Sequence, residues 1–258
     1  MMQPYYQDDS VTLYHGDCLE ILPSIDGVDL VVTSPPYNLG ATPGGAFGHY
    51  RDGQGRGGQG KWDGAGADGI GYSDHSDAMP PAEYEEWQKR CLVAMWWSLS
   101  DRGAIFYNHK PRVQADSVWL PLALNPGLPV RQIIVWARAG GVNFAPTHYM
   151  PTHEWILVFA KDAWRLKSKG ASGVGDVWRI NQEPNALHPA PFPIGLPAQA
   201  IETTAPRLVL DPFAGSGTTL RAAANAGVPS IGIEKSERYC ELIAKRLDQM
   251  VLDFGSVS

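Results

Sequence analysis

Residues 207–247, RLVLDPFAGSGTTLRAAANAGVPSIGIEKSERYCELIAKRL, leave a chain few options. An apolar run from Leu208 to Leu210 ends on Asp211, a turn with Gly215 and Gly217 follows, and a helix-forming stretch leads to a second apolar run ending on Glu234. This reads as strand, glycine turn, helix, strand and helix. Strands joined that way run parallel, and a parallel sheet needs helices over its faces. The turn also has a chemical meaning. Glycine lets the backbone approach a ligand closely, and the start of the helix offers N–H groups with no partner inside the helix. Glu234 follows Gly215 by 19 residues, at the end of the next strand, where a carboxylate can accept both hydroxyls of a ribose.

Three ligands compete for such a turn. A phosphate-binding loop would carry a lysine after its last glycine, and here Thr218 follows Gly217. A dinucleotide site would use three glycines, and only two are present. S-adenosylmethionine has adenine, ribose and a charged methionine tail but no phosphate, so it relies on acids at strand tips. A plainer alternative is that the two glycines only shape a tight turn. The coincidence of Asp211, the turn and Glu234 favours S-adenosylmethionine.

The rest of the chain extends the same architecture. VTLYHGD (Val11–Asp17), VDLVVT (Val28–Thr33), GAIFYNH (Gly103–His109), PVRQIIVWA and THEWILVFAK read as strands. PAEYEEWQKRCLVAMWWSLS reads as an amphipathic helix with proline at its start, CLEILPSI as a helical turn, and a further helix is expected from about Ile194 to Thr203. Thirteen of the 28 glycines fall between Gly40 and Gly71, a density that no helix or strand tolerates, so residues 39–72 are expected to form a long loop. The sum is one α/β domain over residues 1–258, with a mostly parallel seven-stranded sheet, helices on both faces and one late antiparallel hairpin.

Composition narrows the class further. Cys18, Cys91 and Cys240 are widely spaced, which argues against a disulfide framework or a structural metal and suits a cytoplasmic protein. The start MMQPYYQDDS has no signal-peptide pattern, and no apolar run reaches the roughly 18 residues of a membrane span. Net charge is −6, yet the segment from Arg131 to Arg179 has seven basic and three acidic residues, +4 in a chain that is −10 elsewhere. A locally basic face can still hold phosphates; a solvated basic loop is the alternative.

The most unusual strand ending is VVTSPPYNLG, where a buried-type run stops on Thr33-Ser34, two prolines and a tyrosine. Beside an S-adenosylmethionine site this turn becomes legible. The exocyclic amine of a nucleobase is a weak nucleophile, because its lone pair is delocalised into the ring. Methylating it requires acceptors for the amine hydrogens and a fixed line to the methyl group. Ser34 supplies a hydroxyl, the prolines stiffen the turn so that the Pro35 carbonyl can face the same nitrogen, and Tyr37 offers a flat face for an extruded base.

These residues resemble a known family, the amino-methylating DNA methyltransferases that act on cytosine N4 or adenine N6. Its catalytic motif [S/N/D]-P-P-Y is matched by Ser34-Pro35-Pro36-Tyr37, and its D-P-F-x-G-S-G-T-T loop by Asp211 to Thr219. GDCLEIL from Gly16 and HPAPFP from His188 are weaker matches. The catalytic motif precedes the cofactor motif, as in the circularly permuted β-type order of that family. The resemblance implies a Rossmann-like methyltransferase fold. It also implies catalytic roles for Ser34, Pro35, Pro36 and Tyr37, and a cofactor site formed by Asp17, His188, Phe192, Pro193, Asp211, Phe213, Ala214, Gly215, Gly217, Thr218 and Glu234. The implied partners are double-stranded DNA and, in a restriction–modification setting, a cognate restriction enzyme; the protein would act as a monomer or homodimer. No metal and no membrane are implied.

Within the family serine in the first motif position accompanies cytosine N4, which is the expectation here, with adenine N6 as the alternative. Candidate DNA contacts are Arg51, Arg56 and Lys61 in the glycine-rich loop, and Arg138, Lys161, Arg165, Lys167 and Lys169 around the basic loop 161–190. A protein glutamine methyltransferase would carry Asn in place of Ser34 and the opposite motif order. A DNA-binding module without catalysis would bind S-adenosylmethionine without turnover.

Overall fold

The computed structural model describes residues 3–38, 79–114, 117–139, 147–181 and 193–255. Eleven strands and six α-helices are formed among them. In chain order these are β1 (Tyr6–Gln7), β2 (Val11–His15), α1 (Cys18–Ile21), β3 (Val28–Thr33), α2 (Pro81–Ser98), β4 (Leu99–His109), β5 (Arg112–Gln114), β6 (Ser117–Trp119), β7 (Val130–Ala137), β8 (His153–Ala160), α3 (Lys169–Ser172), β9 (Val177–Arg179), α4 (Gly195–Thr204), β10 (Val209–Asp211), α5 (Thr218–Asn225), β11 (Ser230–Glu234) and α6 (Glu237–Gly255).

Nine strands form one sheet in the order β1-β2-β11-β10-β3-β4-β8-β7-β9. From β2 to β4 neighbours run parallel, β8 is antiparallel to both β4 and β7, and β1 is antiparallel to β2. The seven expected strands form the centre, and the expected count of seven is corrected to nine by β1 and β9, edge strands of two and three residues. Segments that short carry too little alternation to register as strands. The antiparallel excursion falls at β8 and β7, as expected.

Both faces are covered. Val31, Ile105, Tyr107, Leu157 and Phe159 point to one side, where Tyr84, Cys91, Leu92 and Met95 of α2 pack on them. Their strand neighbours Leu30, Val32, Phe106, Ile156 and Val158 point to the other, under Leu196, Ala200 and Ile201 of α4 and Ala222 and Ala223 of α5. The alternation is the two-residue period of a strand buried on both sides. In α2 the buried set Tyr84, Gln88, Cys91, Leu92 and Met95 follows helical spacing, and Pro81 opens the helix where its missing N–H is harmless. No helix among the described residues is long and apolar enough to cross a membrane.

One detail closes the frame. Asn38, with φ of 55°, accepts from the Met79 N–H at 2.7 Å and donates to the Met79 carbonyl at 2.8 Å. Asparagine tolerates this left-handed backbone better than most residues. Residues 38 and 79 are therefore clipped together. The glycine-rich stretch with Arg51, Arg56 and Lys61 lies outside the described residues.

Candidate active site at the carboxyl ends of the central strands

Because β2, β11, β10, β3 and β4 run parallel, Asp17, Glu234, Asp211, Ser34 and His109 all emerge at one edge. The ends of β3 and β10 are joined directly, since Thr33 donates to Asp211 at 2.7 Å. The two sequence motifs are thus neighbours, at the edge where open α/β sheets bind ligands.

The turn after β3 is anchored from below. The Pro36 carbonyl accepts from the Tyr84 hydroxyl at 2.8 Å and from the Gln88 amide at 3.3 Å, and Tyr107 holds Gln88 at 2.6 Å. Tyr84 also meets His109 Nε2 at 2.8 Å, while His109 Nδ1 accepts from the Lys110 N–H at 2.8 Å. Nε2 therefore carries the proton. Burial, aided by the Arg112 charge, lowers the His109 pKa to about 3, so the ring is neutral. No hydrogen bond among the described residues ends on the Pro35 carbonyl.

Above this anchor lies a compact polar cluster. Ser34 Oγ is 2.8 Å from the Tyr37 hydroxyl, which donates to Glu154 Oε2 at 3.0 Å. Asn108 Nδ2 donates to the same Tyr37 oxygen at 2.6 Å and to Glu154 Oε2 at 3.0 Å. Arg138 Nε stands 3.7 Å from Glu154 Oε1. The Tyr37 ring lies on His109 with centroids 4.6 Å apart, and Arg112 donates to the Tyr37 carbonyl at 2.9 Å.

On the other side of Thr33 is an acidic, glycine-lined hollow. Asp211 is fully buried, and desolvation raises its pKa to about 6 against the pull of hydrogen bonds from Thr33, Thr219 and the Phe213 N–H. Glu234 accepts from the Gly215 N–H at 2.7 Å and the Ser236 N–H at 2.8 Å, which leaves a second lone pair on each oxygen. Burial raises its pKa as well. Asp17 caps α1 through the Leu19 N–H at 3.0 Å and pairs with Lys235 at 3.2 Å. Gly215 has φ of +52° and a side chain there would meet only one atom within 4 Å, the Phe213 carbonyl. Gly217, at φ of +81°, is different, because a Cβ would stand 2.9 Å from Ile243. Gly215 thus leaves space for a ligand, whereas Gly217 lets α5 seat against α6. Phe213 packs edge-on to Trp87 at 5.7 Å, Ala214 is buried, and Thr218 opens α5. Fixed carboxylates and an open glycine turn fit a ligand with a ribose and no phosphate. Pro193 is buried just ahead of α4; His188 and Phe192 lie outside the described residues.

Other expected contacts are placed differently. Lys161 follows the far end of β8, where its N–H reaches the Gly103 carbonyl and its ammonium sits 4.1 Å over the Trp96 ring. Lys167 bonds to the Thr203 carbonyl at the end of α4, and Arg165 and Lys169 flank it in sequence. Lys161 and Lys167 thus lie at the opposite edge, Lys161 roughly 23 Å from Glu154 at strand rise over β8. Both are placed away from the catalytic turn, and whether the basic stretch meets DNA elsewhere is a matter for the binding experiment below. Arg138 is at the catalytic edge, with a side chain 12% exposed and turned to Glu154. Asn108, Glu154 and Arg112 went unread in the sequence. The available signal was an acid opening an otherwise apolar strand in HEWILVFA.

Residues 28–246 match the N6_N4_Mtase family model, described as DNA methylase. The chain belongs to this DNA methylase family. As a member it is an enzyme that uses S-adenosylmethionine to methylate the amine of cytosine N4 or adenine N6. The type II methyltransferase M.ScaI of Streptomyces caespitosus is 26% identical over 288 residues, which cover 95% of this chain and 84% of that protein. The structure of PvuII DNA methyltransferase (cytosine-N4-specific) superposes with a TM-score of 0.70 at 19% identity, covering 94% of this chain and 88% of that one. The putative DNA modification methylase TTHA0409 of Thermus thermophilus, solved with S-adenosyl-L-methionine, gives 0.62 at 22% identity, over 92% and 93%. At these identities the structural likeness is one of fold.

Proposed function

We propose that this DNA methylase acts on cytosine N4, with the base extruded from double-stranded DNA and its amine received by Ser34. The observation that carries the reading is the position of Ser34. Its hydroxyl heads the polar cluster, and one residue earlier Thr33 touches Asp211 of the cofactor side. The bound S-adenosylmethionine supplies an activated methyl group. Asp211, Glu234 and Asp17 hold and orient it, with Gly215 giving the backbone room. Ser34 and the Pro35 carbonyl accept the two amine hydrogens, which localises the nitrogen lone pair along the line of attack. His109 covers one face of Tyr37, so a flipped base uses the opposite face. The catalytic work is positioning; no covalent enzyme intermediate is needed. The serine motif and the cytosine-N4-specific PvuII neighbour favour cytosine. The type II name of M.ScaI supports a restriction enzyme as companion.

The test is incubation with S-adenosylmethionine and unmodified double-stranded DNA, followed by digestion to nucleosides and mass spectrometry. N4-methylcytosine is expected. N6-methyladenine would overturn the choice of base while leaving the family in place.

A further inference from the structure

We propose that Glu154 is the terminal proton acceptor of the methylation site, reached from the target amine through Ser34 and Tyr37. The inference rests on Ser34 receiving the amine. Three facts carry it.

Glu154 is 6% exposed, and a buried carboxylate is expensive unless it is held by donors. Its partners are Tyr37, Asn108 and Arg138, and the first two also touch or approach Ser34. A carboxylate only accepts, so it dictates the direction of every hydroxyl leading to it. Tyr37 donates to Glu154 and has no second proton to give, so the 2.8 Å contact is Ser34 donating to Tyr37. Asn108, donating to the Tyr37 oxygen, reinforces that direction. Ser34, whose other contact is the long 3.4 Å one from Asn108 Nδ2, keeps acceptor capacity for an N–H. Without Glu154 the hydroxyl chain could run either way, and a Ser34 that donated to the amine would tie up the lone pair that must attack.

The same chain moves the proton. The nitrogen lone pair forms the N–CH3 bond as the S–CH3 bond breaks, with that bonding pair remaining on sulfur. The proton lost from nitrogen goes to Ser34 Oγ, the Ser34 proton to Tyr37, and the Tyr37 proton to Glu154, which ends as the neutral acid. Every bond made is matched by one broken.

The test compares wild type, Glu154→Gln, Tyr37→Phe and the double variant in single-turnover transfer of labelled methyl to the DNA used in the nucleoside assay. Each single variant is expected to lose roughly 10²-fold in the chemical step. The double variant should lose no more than the slower single, because both break one chain. S-adenosylmethionine affinity by calorimetry should be unchanged in all three. Melting of the cofactor-free proteins should show coupling between positions 37 and 154. Tyr37→Phe keeps the ring on His109, so a role for Tyr37 in stacking alone predicts near-normal rates there. Rates within threefold of wild type for either variant, or multiplied losses in the double, would overturn the inference and leave the reading of Ser34 standing. No methyl transfer by wild type would instead sink that reading, and this inference with it.

Discussion

Asp211→Asn separates what this carboxyl does for the fold from what it does for the cofactor. The group is fully buried and its pKa is raised to about 6, chiefly by desolvation. Between roughly pH 4 and 6 the folded protein keeps a proton that the unfolded chain, with an ordinary carboxyl near 3.9, has released. Stability therefore falls as pH rises through that window and stays lower above it. The gap from 3.8 to about 6 corresponds to about 3 kcal/mol of native-state penalty at pH 8. An amide keeps the acceptor for Thr33 and for the Phe213 N–H without the buried charge. The variant should thus melt roughly 6 °C or more above wild type at pH 8, for a chain of this size. The difference should shrink toward zero at pH 4, where both side chains are neutral. S-adenosylmethionine affinity, measured in parallel by calorimetry, should fall. Scanning calorimetry of the ligand-free proteins from pH 4 to 8 is the assay. A variant no more stable than wild type at pH 8, or a difference independent of pH, would refute the assignment of the penalty to this carboxyl.

Other perturbations probe separate parts of the frame. Gly217→Ala puts a Cβ 2.9 Å from Ile243 at φ of +81°, so it should destabilise by about 1–3 kcal/mol in denaturant melts; equal stability would show that α6 yields. Removing the Lys161, Lys167 and Lys169 charges together should leave the salt dependence of DNA binding unchanged, because they sit at the far edge of the sheet. A slope shallower by nearly one per lysine removed would place them on the DNA after all. His109, neutral and depressed to about 3, stabilises the fold above pH 6.5 and loses that contribution as pH falls toward 3. His109→Gln should flatten this acid-side decline in thermal melts.

The parts of the site that a reader of the chain can find are those built from adjacent residues. Asp211, the glycine turn and Glu234 form one strand–helix–strand unit, and Ser34 to Tyr37 form one turn, so neither needs long-range pairing to be noticed. Glu154 is different. It reaches Tyr37 only because β8 pairs antiparallel with β4, setting Trp155 opposite His109 across 46 residues of chain. Nothing in HEWILVFA announces that partner. The basic stretch shows the same limit: its charge is visible in the chain, but the edge at which Lys161 stands depends on the direction of β8. Gln88 shows the limit in miniature, a polar residue in a helix's buried stripe whose purpose appears only when Tyr107 and Pro36 are beside it.

The clip between Asn38 and Met79 holds the two ends of the intervening segment at one point of the described frame. The described frame therefore does not depend on how long that segment is. Loop closure changes by only about 0.6 kcal/mol per doubling, so trimming these 40 residues to ten alters stability by about 1 kcal/mol. Closing the frame at Asn38 and Met79 separates the length of what lies between them from the integrity of the sheet, as a joint separates a fitting from the frame that carries it. A chimera carrying a foreign segment between Asn38 and Met79 should therefore fold with an unchanged melting temperature within a few degrees.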